Sequence, residues 1–255
     1  MRDPHVVALH YHFESADTHH SFEGAQVLGG TLGDFDFELN DARLVARPRS
    51  HFADEESARA ALEPHLRAWE QGTFLSEDMH ITFKYAKTEI IDRDPVPGVT
   101  EVRPDPITLN AVLYAPTVIL GHAAYPPPDP EFKVTPVTDR MSERIMRVRA
   151  GQASLPAEAY WVLTQLETEY GAGKYARKSV AERLNVEEKV LQTLGRLSAQ
   201  GDPNVGRKAD RIDAPLTEAE MAWLRAAIVR LARRVGESEG GATLTTVTMA
   251  DLPPL

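Results

Sequence analysis

Four histidines near the start of the chain, His10, His12, His19 and His20, are of a type and spacing suited to metal chemistry. On an extended strand His10 and His12 point to the same side. A short loop returning His19 or His20, with Glu14 or Asp17, would then complete a zinc-like or iron-like set of nitrogen and oxygen ligands. The competing reading is a solvated strand face, because Val7, Leu9, Tyr11 and Phe13 alternate with these histidines and supply the apolar side. No cofactor is expected from the sequence, a divalent metal at these histidines being the alternative. The chain has no cysteine, so thiolate nucleophiles, disulfides and cysteine-ligated zinc are excluded. Gly29-Gly30-Thr31-Leu32-Gly33 lacks the glycine spacing of a dinucleotide loop, and Gly171-Ala172-Gly173-Lys174 is followed by Tyr175 where a phosphate loop needs Ser or Thr. Both read as turns. Gly-x-Ser-x-Gly is absent, no catalytic residue can be assigned, and a binding protein is favoured over an enzyme.

The most specific local pattern is SVAERLNVEEKVLQTLGRL, residues 179–197. Ala181 is small where a second helix would cross, Asn185 is a turn residue four positions on, and Val180, Leu184, Val186, Leu191 and Leu194 bracket the turn with apolar groups. These residues resemble the helix-turn-helix modules of DNA-binding regulators. The resemblance implies that residues 187–196 face the groove, with Lys189, Gln192, Thr193 and Arg196 outward. Residues 174–211 carry nine Lys+Arg against five Asp+Glu. Candidate nucleic-acid contacts are Lys174, Arg177, Lys178, Lys189, Thr193, Arg196, Arg207 and Lys208. Glu187 and Glu188 open the presumed groove helix and would meet phosphates with like charge. For this segment a plain helical hairpin packed in a bundle is the first reading, and nucleic-acid contact is the alternative.

Arg59 and His65 have the Arg-x5-His spacing that resembles HEPN ribonucleases, which makes an RNA-cleaving enzyme the rival to a binding role, beside a metal-dependent one. Six positions along an uninterrupted helix put two side chains on different faces.

The elements that would carry these residues fall into two classes. Residues 5–13, 34–39, 43–49 and 79–86 alternate with period two, and 88–91, 107–114 and 117–120 extend the set to six to eight antiparallel strands. Asn40-Asp41 reads as a two-residue hairpin loop, pairing Leu39 with Ala42, Glu38 with Arg43, Phe37 with Leu44 and Asp34 with Arg47. Residues 53–71 form a helix across the sheet, with Pro64 predicting a kink and His65 falling on its apolar stripe. After a proline-rich linker at 126–136 the period becomes 3.6. Helices are expected at 138–150, from Pro156 to about Tyr170, and from Thr217, whose Glu220 completes a capping box. The stripe Met221, Leu224, Ile228, Leu231 and Val235 ends at Gly236, and the tail 237–255 is loose or adds one strand at 243–249.

The expected architecture is α+β: an antiparallel β domain or sandwich with one packed helix at 1–125, and an all-helical domain at 137–236. The net charge of −10 lies entirely in residues 1–125, with 10 Lys+Arg against 20 Asp+Glu, while 126–255 balance at 18 against 18. Nucleic acid would therefore have to meet the back half. No run is apolar enough to span a membrane, and no signal segment opens the chain, so a cytoplasmic location is expected. The stretch from the prolines to Gly201-Asp202-Pro203, Arg207-Lys208 and Pro215-Leu216-Thr217 resembles uncharacterised bacterial proteins. Expected partners are a protein or ligand for the β half, nucleic acid for the helical half, or a second copy through the 221–235 stripe.

Overall fold

The computed structural model describes residues 2–16, 22, 24–95, 124–199 and 215–255. The chain is α+β and divides into two compact units, Met1–Asp129 and Pro130–Leu255. Among the described residues no helix is long and apolar enough to cross a membrane.

The first unit is an antiparallel sheet of β1 (Pro4–Ser15), β2 (Leu28–Leu32), β3 (Phe35–Asn40), β4 (Arg43–Pro48) and β5 (Ile81–Asp92), in the order β2-β3-β4-β1-β5. The expected strands at 107–114 and 117–120 lie outside the described residues. Helix α1 (Glu55–Glu77) buries Ala58, Leu62, Leu66 and Trp69 against the inward residues of the sheet, among them Leu9, Phe35, Phe37, Leu39, Leu44 and Phe83. Asp54 caps its first turn by accepting the Ser57 amide at 2.8 Å. The helix runs six residues past the expected end. It also continues through Pro64, which is exposed together with Ala60, so the carbonyl deprived of its partner faces water. Trp69 is the anchor: its ring lies 5.2 Å from Phe37 and 4.8 Å from Phe83, and its indole N–H donates to the Pro126 carbonyl at 2.8 Å.

Three details depart from the alternation pattern. A bulge at Val7 means that Val6, not Val7, is buried beside Leu9. Gly29 and Gly30 belong to β2 rather than to a turn, because the Phe37 ring from β3 lies where a Gly30 side chain would begin, 3.0 Å away. The β3–β4 hairpin turns at Asp41 and Ala42, with φ of 47° and 56°, so Leu39 pairs with Leu44, Phe37 with Ala46, and Asp36 with Arg47. This slip of two residues keeps every side chain on its expected face. Backbone bonds select it: the Ala42 amide donates to the Tyr125 hydroxyl at 2.9 Å, and its carbonyl accepts from Phe13 at 2.9 Å.

The second unit contains α2 (Pro136–Arg149), α3 (Leu155–Tyr170), α4 (Ala176–Leu184), α5 (Glu188–Ala199) and α6 (Glu218–Gly240). Thr217 and Glu220 form the reciprocal capping box at the start of α6. Leu224, Ile228, Leu231 and Val235 are buried. Gly236 does not stop the helix. It seats the Phe132 ring, and Gly240 lets the Glu131 carbonyl approach where a methyl group would collide. Within the expected proline-rich linker, the Pro126 carbonyl accepts from Trp69 in the first unit and the buried Phe132 packs on Gly236 in the second.

Ala42 has a left-handed backbone that its Cβ resists by about 1–2 kcal/mol, part of which a glycine loses to unfolded-state entropy. Ala42→Gly should therefore raise stability in urea unfolding by about 0.5–1 kcal/mol, whereas Tyr125→Phe should lower it.

Candidate nucleic-acid interface

Helix α4 ends because Asn185 takes a left-handed conformation, φ 49° and ψ 58°, with the Val186 amide bonded to the Ala181 carbonyl at 2.9 Å. Asparagine tolerates this backbone better than other non-glycine residues do. Val186 then enters the core at 4% exposure, and α5 starts at Glu188. Two helices joined by a three-residue turn result, with Val180, Leu184, Val190, Leu191, Leu194 and Leu197 forming the buried seam.

The turn is held from outside by the tail. Val247 pairs with Val186 in a parallel bridge, receiving the Glu187 amide at 2.8 Å and donating to the Asn185 carbonyl at 3.0 Å. Both ends of the Asn185 side chain are engaged, Nδ2 with the Leu244 carbonyl at 2.8 Å and Oδ1 with the Thr246 hydroxyl at 2.9 Å. The Glu187 carboxylate accepts the Met249 amide at 3.0 Å. Buried Arg234 on α6 fixes the same segment by donating to the Thr245 carbonyl at 2.7 Å. Residues 243–249 are therefore ordered, contributing a single bridge rather than a full strand.

On α5 the exposed residues are Glu188, Lys189, Gln192 and Arg196, with Gln192 bonded to Glu188 at 3.0 Å. Lys189, Gln192 and Arg196 follow at three- and four-residue spacing on one face. Thr193, expected outward, is 9% exposed and belongs to the inner side. Its place in the repeat beside Leu194 and Val190 makes it part of the seam. Lys174 and Lys178 are exposed, Lys178 lying 3.9 Å from Glu182 one turn on. Arg177 has a structural partner: it donates to Glu167 of α3 at 2.7 Å, and its guanidinium lies against α5 at Gly195, where a Cβ would stand 2.9 Å away. It ties α3, α4 and α5 together. Arg207 and Lys208 lie outside the described residues.

His10 and His12 share the outer face of the sheet, but their cross-strand neighbours are Lys87 and Lys84 on β5 and Val45 and Arg43 on β4. Cations there oppose a further cation. His10 Nε2 lies 3.0 Å from a Glu89 carboxylate oxygen, not aligned as a hydrogen bond. Burial, more than the opposing pull of Glu89, lowers the His10 pKa from its ordinary value. Among the described residues no three His, Asp or Glu side chains converge in a metal-holding group, and His19 and His20 lie outside those residues.

Arg59 and His65 do not meet. Arg59 binds Glu63 at 2.7 Å and Glu55 at 3.3 Å and stacks over Tyr85 of β5. His65 is exposed and packs over Gly33, at the β2–β3 turn on the opposite flank of the sheet. Pro64 does not bring the two faces together, and His65 lies off the apolar stripe.

One pairing escaped the sequence reading. His5 and His51 approach Nδ1 to Nδ1 at 2.9 Å with rings 18° from parallel, a nearly coplanar N–H···N bond. Asp3 lies 3.9 Å from the far side of His51 and also approaches Arg93. Residues 46 positions apart carry no local signal of such a contact. Comparison with protein-family models, curated proteins and solved structures gives no match to this chain.

Replacing Asn185 by Ala removes two side-chain hydrogen bonds and the left-handed tolerance, and should cost about 2–3 kcal/mol in urea unfolding; Asn185→Gly keeps the backbone freedom and should cost less. His10 predicts an acid limb. Its folded pKa lies below the unfolded value of 6.5, so the folded state binds fewer protons and stability falls as pH drops through that value. The Tm difference between His10→Gln and the parent should thus grow in favour of the variant on going from pH 8 towards pH 5.

Proposed function

We propose that this chain is a non-enzymatic binding protein whose helical unit contacts nucleic acid through α5, while the β unit recognises a partner or ligand. The observation that supports this reading is the exposed row Lys189, Gln192 and Arg196 on a helix that follows a sharp left-handed turn. Such a helix presents one polar face while its other side is committed to the seam, as groove insertion requires. The acidic start of α5 weighs less than its composition implies. Glu187 is taken up by the Met249 amide, so Glu188 is the carboxylate left exposed at that end. Across residues 174–199 six basic side chains stand against three acidic ones, and Lys174, Lys178 and Arg183 add exposed charge beside α5. Phosphate contacts of this kind position a protein on a duplex without reading sequence.

Fluorescence anisotropy with a labelled duplex across a salt series tests the reading. The parent protein should bind at low salt, and Lys189→Ala with Arg196→Ala should reduce the slope of log K against log salt by about 2. Absence of binding at about 50 mM salt would sink it.

A further inference from the structure

We infer that residues 243–251 act as a strap that governs the α4–α5 unit: bound, it holds the two helices crossed and keeps Glu187 away from the exposed end of α5. The inference has two parts, and the second rests on the nucleic-acid reading above.

The geometric part follows from where the hydrogen bonds converge. Asn185, Val186 and Glu187 are the whole connection between α4 and α5, and the strap engages all of them through two backbone bonds, the two ends of the Asn185 amide, the Glu187 carboxylate and the Val186–Val247 bridge. A turn so short sets the angle between the helices it joins, so whatever fixes its peptide planes fixes the direction of α5. The strap itself rests on few apolar anchors. Val247 and Leu252 are buried, whereas Thr243, Thr245 and Thr246 are exposed. It leaves α6 through Gly241, at φ 84°, a position where the chain changes direction freely. Apart from the bond that buried Arg234 donates to the Thr245 carbonyl, it is held by few buried apolar contacts, and segments of that kind open at lower free energy than a packed core. The strap is therefore the part of this unit best placed to detach while the helices remain folded.

The electrostatic part concerns Glu187. With the strap bound, its carboxylate is turned to the Met249 amide. Detachment removes that donor and leaves two adjacent carboxylates, Glu187 and Glu188, at the end of α5 that would approach phosphate. Strap release thus loosens the turn and adds repulsion together, which makes it an off state for anion binding.

Hydrogen exchange by mass spectrometry on the full chain, followed by duplex binding, tests both parts. Val247→Pro removes the amide that donates to Asn185, and Thr246→Val removes only the hydroxyl bond while keeping the side-chain shape. Val247→Pro should speed exchange at the turn and the first turn of α5 by about tenfold or more, with α2 and α3 unchanged, and Thr246→Val should act in the same direction by less. Unchanged exchange at the turn, or an equal rise in every helix of the unit, would overturn the strap. Duplex affinity should fall about tenfold in Val247→Pro and recover in part when Glu187→Gln is added. Faster exchange with undiminished binding would overturn the electrostatic part. If the parent protein binds no duplex, the nucleic-acid reading fails while the exchange pattern still decides the strap.

Discussion

The left-handed backbone at Asn185 is the constraint from which the arrangement of the helical unit follows. It ends α4, directs Val186 into the core and starts α5 at a new angle, so that one side of α5 joins the seam and the other faces out. A non-glycine residue holds that conformation only when its surroundings over-determine it. Here the Ala181 carbonyl, the Val247 backbone and both ends of the asparagine amide do so. The C-terminal residues are consequently part of the turn rather than an appendage to α6.

The sheet unit obeys a comparable logic at Ala42. Two consecutive positive φ values close the β3–β4 hairpin, and the Tyr125 hydroxyl and the Phe13 amide hold the second of them. In both units a residue distant in sequence arrives to fix a strained local backbone. Trp69 and Gly30 show the complementary effect in packing: one large ring spans the sheet, and one missing side chain makes room for the Phe37 ring. The sheet face away from α1 carries charge, with His10 and His12 flanked by Arg43, Lys84 and Lys87.

Charge bookkeeping by sequence alone misjudges several of these groups. Arg177 reads as a free cation but links three helices, Thr193 reads as an outward polar residue but lies in the seam, and Glu187 reads as a repulsive acid but is spoken for by a backbone amide. Arg59 and His65 have the spacing of a catalytic pair, yet one leans on β5 and the other on the β2–β3 turn. In each case the deciding partner comes from another element.

What the sequence determined by itself is what local physics controls. Period-two alternation identified the strands around Leu9, Phe37 and Phe83, the spacing of Leu62, Leu66 and Trp69 identified α1, Thr217 and Glu220 marked the start of α6, and Asn185 marked the break between two helices. These signals survive because side-chain direction, capping and left-handed tolerance depend on neighbours a few residues away. Packing between distant elements sets the two-residue slip of the hairpin, the bulge that exchanges Val6 for Val7, the seating of Phe132 on Gly236, the His5–His51 pair and the hydrogen bonds of residues 244–249 to Asn185–Glu187. Each depends on groups tens of residues apart meeting at hydrogen-bond or van der Waals distance, and such a meeting is set by how whole elements pack, which no local period records.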